Sequence, residues 1–199
     1  MTELKLFNRW SFNVEVNDPG LKPYINLDPI VIPKTGGRYS QHKFYKSKMN
    51  IVERLVNKLM VPGHRGKKHL LSSGRNTGKT QTILNIIKEV FEKLEERTKT
   101  NPIEILVRAI ENAALREEIT SYQMGGIIVR KAVISSPQRR VDAALSIIVQ
   151  SAYRKSFGKK QLMVDALTNE ILYAYKNDAS KSEAIKEKER IEREAGGAR

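Results

Sequence analysis

Apolar residues along this chain change their spacing several times, and each change marks an element. From residue 48, Ile51, Val52, Leu55, Val56 and Leu59 fall on one helical face until Pro62 and Gly63 stop it, which predicts a first helix. Ile83, Ile86, Ile87, Val90, Phe91 and Leu94 repeat at i, i+3, i+4, i+7, i+8 and i+11 and predict a second. Asn101 and Glu104 have capping-box spacing around Pro102, opening a third helix on Ile103, Leu106, Val107 and Ile110. The helical period then fails. Residues 116–134 are β-branched on both sides of Gly125-Gly126, a pair that supplies the positive φ of a tight hairpin turn. A hairpin is expected there. Ser136 as N-cap and Pro137 in the first turn open a fourth helix on Val141, Ala144, Leu145, Ile148 and Ala152. Beyond a break at Gly158, residues 160–176 read as helical on Met163, Leu167, Ile171 and Ala174. Ser180 with Glu183 starts a last, highly charged helix that frays into Gly196 and Gly197.

The first 45 residues behave differently. Pro19, Pro23, Pro29 and Pro33, with glycines at 20, 36 and 37, exclude a long helix. Leu4, Leu6, Phe7, Trp10, Phe12, Tyr24, Ile30 and Ile32 argue equally against disorder. The expectation is mainly α: about six helices with a protruding hairpin between the third and fourth, in residues 46–199, behind an extended basic arm at 1–45 that packs along something larger.

Charge then narrows the function. The 199 residues carry a net +14 and no Cys, which leaves no disulfide framework or Cys-ligated zinc site and suits a reducing compartment. No apolar run approaches the roughly 20 residues that span a bilayer and the start lacks a secretory segment, so a cytoplasmic protein is expected. Lys34, Arg38, Lys43, Lys46, Lys48, Arg54, Lys58, Arg65, Lys67, Lys68, Arg75 and Lys79 stand against Glu53 alone, giving eleven of the fourteen net charges. A lysine-rich surface kept for solubility explains scattered positives better than such a one-signed block; a phosphate backbone is the natural counter-charge. A membrane surface fits less well, because Pro and Gly interrupt the block.

Enzyme readings find no support. Residues 74–80, Gly-Arg-Asn-Thr-Gly-Lys-Thr, imitate a phosphate-binding loop before a helix, but that fingerprint needs four residues between its glycines and three are present. The preceding residues are too short and polar for a buried strand. His42, His64 and His69 lack a carboxylate at ligand spacing, and Ser72 and Ser73 lack a neighbouring base; neither a cofactor nor a metal is expected. The alternatives carried forward are a nucleotide-dependent enzyme and a protein-only adaptor. Arg139 and Arg140 occupy a first helical turn, where the macrodipole disfavours cations, so a partner is expected for them. Arg130 and Lys131 on the return strand, with Tyr122 and Met124 near the tip, make a basic ribbon suited to a nucleic-acid groove or single-stranded RNA. An ordinary hairpin packed on its own domain, or one meeting a neighbouring protein, remains open.

The order of parts resembles a known family. Residues 49–60 (Met-Asn-Ile-Val-Glu-Arg-Leu-Val-Asn-Lys-Leu-Met), a Gly-Lys-rich loop, residues 101–112 (Asn-Pro-Ile-Glu-Ile-Leu-Val-Arg-Ala-Ile-Glu-Asn), the hairpin and Ser136-Pro137-Gln138-Arg139-Arg140-Val141 look like the universal small-subunit ribosomal protein seven family. The likeness runs from about residue 48 to the end and is most specific at 101–152. Residues 6–10 (Leu-Phe-Asn-Arg-Trp) and 37–39 (Gly-Arg-Tyr) resemble its archaeal and eukaryotic branch, and an archaeal source is expected. The resemblance implies a six-helix bundle bound to the small-subunit rRNA in the head domain, a part in early head assembly, and a place on the exit side of the tRNA path. There the hairpin would approach the exit-site tRNA and the departing mRNA, beside small-subunit protein eleven. By motif, Gly125 and Gly126 match the hairpin tip, Arg139 and Arg140 the Arg-Arg pair after it, and Lys79 the Gly-Lys before the second helix. The loop at 61–76 is longer than in the bacterial pattern, so residues 64–75 receive no contacts by resemblance; charge alone makes RNA contact the expectation. Whether the Glu-Lys alternation of the last helix meets RNA or protein stays open.

Overall fold

The computed structural model describes residues 4–65, 68–69 and 76–199. Its α-helices are α1 (Ile51–Leu59), α2 (Thr80–Thr98), α3 (Pro102–Ala113), α4 (Pro137–Ser156), α5 (Met163–Tyr175) and α6 (Glu183–Gly196). Strands β3 (Glu117–Met124) and β4 (Ile127–Ile134) form an antiparallel hairpin between α3 and α4. That is the predicted mainly α order. A pair of two-residue strands, β1 (His64–Arg65) and β2 (Lys68–His69), lies within the segment read as a basic loop. Runs that short carry no alternation for a sequence reading to detect.

Local chemistry explains the helix starts. Asn50 accepts from the Val52 amide at 2.9 Å and Asn101 from the Ile103 amide at 3.0 Å, each satisfying an orphan donor of the first turn. Ser136 holds the N-cap position of α4 but makes no side-chain cap bond, so Pro137 alone marks that start. The last helix is capped by Ser182, not Ser180: the Ser182 side chain accepts from the Ile185 amide. Both serines have an acidic residue close behind, and only the buried one reaches a first-turn N–H.

The core is centred on α5, which packs against α2, α3 and α4. Ala166, Leu167, Ile171 and Ala174 are fully buried there. The same core takes in Leu6, Trp10, Phe12, Leu21 and Ile25 from the segment before α1. Trp10 stands edge-on to Phe91 of α2 at 5.6 Å, and its Nε1 donates to Glu95. Ser11 offers its carbonyl to Asn101, and the Asn17 and Asp18 amides donate to Glu111 of α3. Residue 35 is tied to α1, the Thr35 amide and hydroxyl both donating to Glu53.

Two attachments position the hairpin. At its base Arg116 donates its amide to Glu192 of α6, and Arg199 pairs with Glu117 at 2.6 Å. At its tip Gly125 and Gly126 have φ of +58° and +84°, the conformation that a two-residue turn between twisted strands requires. Met124, Ile127 and Ile128 there are 66–70% exposed. The hairpin therefore packs at its foot and projects at its end.

Candidate nucleic-acid interface

The candidate cations divide by whether this chain already holds them. Lys34, Arg38, Lys43, Lys48, Lys79, Arg130 and Lys131 are exposed and make no ion pair among the described residues. Lys48 lies over the Tyr45 ring at 3.9 Å, an attraction that leaves its other side to solvent. Lys46, Lys58 and Arg140 are half-buried. Arg65 and Lys68 fall in the β1–β2 pair, while Lys67 and Arg75 lie outside the described residues.

One group gathers along the N-terminal half of α4. Asp142 accepts from Lys46 at 2.8 Å and from the buried Arg54 at 3.1 Å, and Arg54 also donates to the Tyr24 carbonyl. Burial pushes the Asp142 carboxyl up, but its hydrogen bond to Lys46 and the charges of Arg54 and Lys46 outweigh that and hold it below the usual range. Lys58, one turn beyond Arg54 on α1, is held below the ordinary ammonium value by burial first and the nearby Lys46 charge next. Three segments far apart in sequence thus meet here. Lys79, at the start of α2, holds the N-cap position and makes no side-chain capping bond.

The Arg139–Arg140 pair meets partners inside the chain, which revises the sequence argument. Arg139 grips both oxygens of Glu118 on β3 through Nε and Nη2. That bidentate bond holds Glu118 below the usual carboxylate range. Arg140 donates to Asp18 at 2.9 Å and to the Leu115 carbonyl at 3.0 Å. Two carboxylates therefore offset the macrodipole penalty, which then demands no external anion. Arg139 remains 65% exposed and Arg140 only 16%, so Arg139 alone presents much surface.

Sequence reasoning passed over two residues as contacts. Arg54 counted only toward the basic block; its i, i+4 spacing to Lys58 on the flank of the α1 apolar stripe was the available signal. Phe44, 78% exposed between Lys43 and Tyr45, has a left-handed backbone with φ of +66°. A bulky aromatic residue in that conformation is strained, and nothing in sequence periodicity marks it.

Fold and surface together define a basic, helical scaffold with a projecting hairpin. No three His, Cys, Asp or Glu groups gather at metal-binding spacing among the described residues, and no helix there is long and apolar enough to cross a membrane. The family model described as ribosomal protein S7p/S5e matches residues 22–199. The chain is 49% identical over 198 residues to a small ribosomal subunit protein uS7 from Nanoarchaeum equitans (strain Kin4-M), covering 99% of this chain and all of that protein. It is 43% identical, with the same coverage, to proteins of that name from Methanococcus aeolicus and Methanococcus maripaludis. The chain belongs to the ribosomal protein S7p/S5e family, as its motifs suggested, and these relatives are archaeal. Its role is structural, in the ribosome, and not enzymatic.

Proposed function

We propose that this protein binds small-subunit rRNA in the head domain through the α4 cation group, the exposed cations ahead of α1 and the hairpin, and that it supports head assembly. The observation that carries the reading is the division of cations: a helical core fixes their spacing, yet Lys34, Arg38, Lys43, Lys48, Arg130 and Lys131 face outward without an anion of their own among the described residues. A folding core has no use for unpaired charge, and a phosphate backbone supplies what is missing. The mechanism is docking by charge and shape. At the hairpin, Tyr122, Met124 and the Gly125-Gly126 turn project with Arg130 and Lys131 behind them, which supports contact with exit-site tRNA and the departing mRNA. Small-subunit protein eleven is the neighbour proposed beside it, and the cytoplasmic small subunit the location. The names of the relatives, small ribosomal subunit protein uS7, favour the same subunit.

The test is binding to a head-domain rRNA fragment and to an unrelated RNA of equal length across a salt series. If about six to ten phosphates are contacted, affinity falls by orders of magnitude between about 50 and 200 mM salt. The first variant is Arg130→Glu/Lys131→Glu, because these residues have no ion pair to break among the described residues. Arg139→Glu/Arg140→Glu is read beside it with a stability measurement, since it also removes the bonds to Glu118 and Asp18. Preference for rRNA, a steep salt slope and loss in the first variant support the reading. Equal affinity for both RNAs, unmoved by either variant, refutes it.

A further inference from the structure

Between α1 and α4 lies a cavity of about 380 Å³ whose polar lining is rich in donors: Lys46, Arg54, Asn57 and Lys58, with Ser146, whose hydroxyl donates to the Asp142 carbonyl, opposite. Asp142 bonds two of these cations, so three positive charges meet one negative charge. Arg54 and Lys58 are i, i+4 on one helix, a like-charge spacing that destabilises it. Arg54 is 1% exposed and its Nε makes no hydrogen bond. Asn57 Nδ2 spends its donor on the Met49 sulfur at 3.3 Å, a weak acceptor that a better one would displace. Half-buried Lys58 is held below the ordinary ammonium value by burial first, then by the Lys46 charge, against the opposing pull of Asp142, with Arg54 adding to the lowering. Together these groups leave the cavity with uncompensated positive charge and with donors that are poorly satisfied.

We infer that the α1–α4 cavity seats a single phosphate oxyanion, held by Lys46, Lys58 and the Arg54 guanidinium, with Asn57 as a neutral donor. Guanidinium and ammonium groups together are the usual grip on a tetrahedral oxyanion. The cavity is several times larger than one oxyanion, so it admits the group together with water. Val61, just after α1, also lines it. The preferred source of the anion, a phosphodiester of the bound RNA, rests on the function proposed above; inorganic phosphate is the free source of the same chemistry.

Lysine acylation footprinting of the full chain, read residue by residue, separates these. It is run without ligand, with inorganic phosphate at ionic strength matched by chloride, and with the head-domain rRNA fragment. Near saturation, Lys46 and Lys58 are expected to react about tenfold more slowly in both ligand arms. Lys34, Lys43 and Lys131 slow with RNA only. Protection of the cavity pair by phosphate but not RNA keeps the seat and assigns it to a free anion. Protection by RNA but not phosphate overturns a seat for one phosphate. RNA protection of Lys34, Lys43 and Lys131 with Lys46 and Lys58 unchanged in both arms overturns the seat and leaves the RNA reading standing. No protection by RNA anywhere sinks the RNA reading, and the phosphate arm then decides the cavity alone. In Lys58→Gln, phosphate must no longer protect Lys46, and its persistence there overturns the proposal. The same variant should lower the salt slope of RNA binding by about one.

Discussion

Replacing Glu170 with Ala should detach α6 before it unfolds the bundle. Glu170 is on α5, fully buried, and satisfies three groups from other segments: Lys155 Nζ of α4 at 2.6 Å, the Ser182 hydroxyl at 2.8 Å and the Ala184 amide at 2.9 Å. The last two belong to the cap and first turn of α6, where a carboxylate also meets the positive end of the helix. Hydrogen bonds to a charged acceptor are each worth about 1.5–3 kcal/mol, and removing one member of a buried ion pair costs about 3–5 kcal/mol. These overlap, because the freed groups reach water once α6 lifts, and Ser182 still caps the Ile185 amide. The expected loss is therefore about 3–5 kcal/mol, not the sum. For a chain of this size that lowers Tm by about 10 °C. Hydrogen exchange should place the change: amides of 183–196 lose protection first, followed by the hairpin foot, which α6 holds through Glu192. Glu170→Gln keeps an acceptor without the charge and should fall between. A Tm within about 2 °C of the parent, or exchange rising evenly through all helices, would refute the assignment of Glu170 as the clamp on α6.

Other expectations follow from the charged groups. Lys58→Met should raise Tm by about 1–3 °C at neutral pH while weakening RNA binding, because a cation held below its ordinary pKa is carried at the expense of stability; a lower Tm would refute that. Asp142 and Glu118 have folded pKa values below their unfolded ones, so their stabilisation is present above about pH 4 and lost as pH falls through the depressed values. Thermal melts between about pH 6 and 2 should show that loss, reduced in Asp142→Asn and Glu118→Gln. Phe44→Ala should leave Tm near the parent value and weaken RNA binding by about fivefold or more, the low end for a lost stacking platform. Unchanged affinity would remove Phe44 from the interface.

The first five helices were legible because each has an apolar face, the last from its Ser-Glu start and charge pattern, and the hairpin because β-branched runs flank a glycine pair. What escaped depended on contacts between distant segments. The stretch 160–176 reads as helical on Met163, Leu167, Ile171 and Ala174, but the buried Thr168 and Glu170 disguise how central α5 is. A periodicity argument assigns polar residues to water, and only the arrival of Ser182 and Lys155 makes Glu170 an interior residue. Trp10 is the converse case: an apolar residue in a proline-rich segment carries no period, so that it docks on Phe91 is a fact of tertiary packing.

The charges follow the same logic. One-signed composition pointed to a polyanion, but it could not separate cations that hold the fold from cations that face outward. Arg140 shows why the distinction matters. Its sequence position argued for an external anion, yet its guanidinium joins Asp18 to the Leu115 carbonyl and so ties the N-terminal segment to the foot of the hairpin. Arg130, ten residues earlier and indistinguishable by composition, has no such bond and stands exposed on β4. A charge-reversal result at Arg140 therefore mixes folding with binding, whereas one at Arg130 reports on binding. Lys46 and Lys58 fall between, partly neutralised by Asp142 and partly not, and that incomplete neutralisation is what singles out the α1–α4 cavity from the rest of the basic surface.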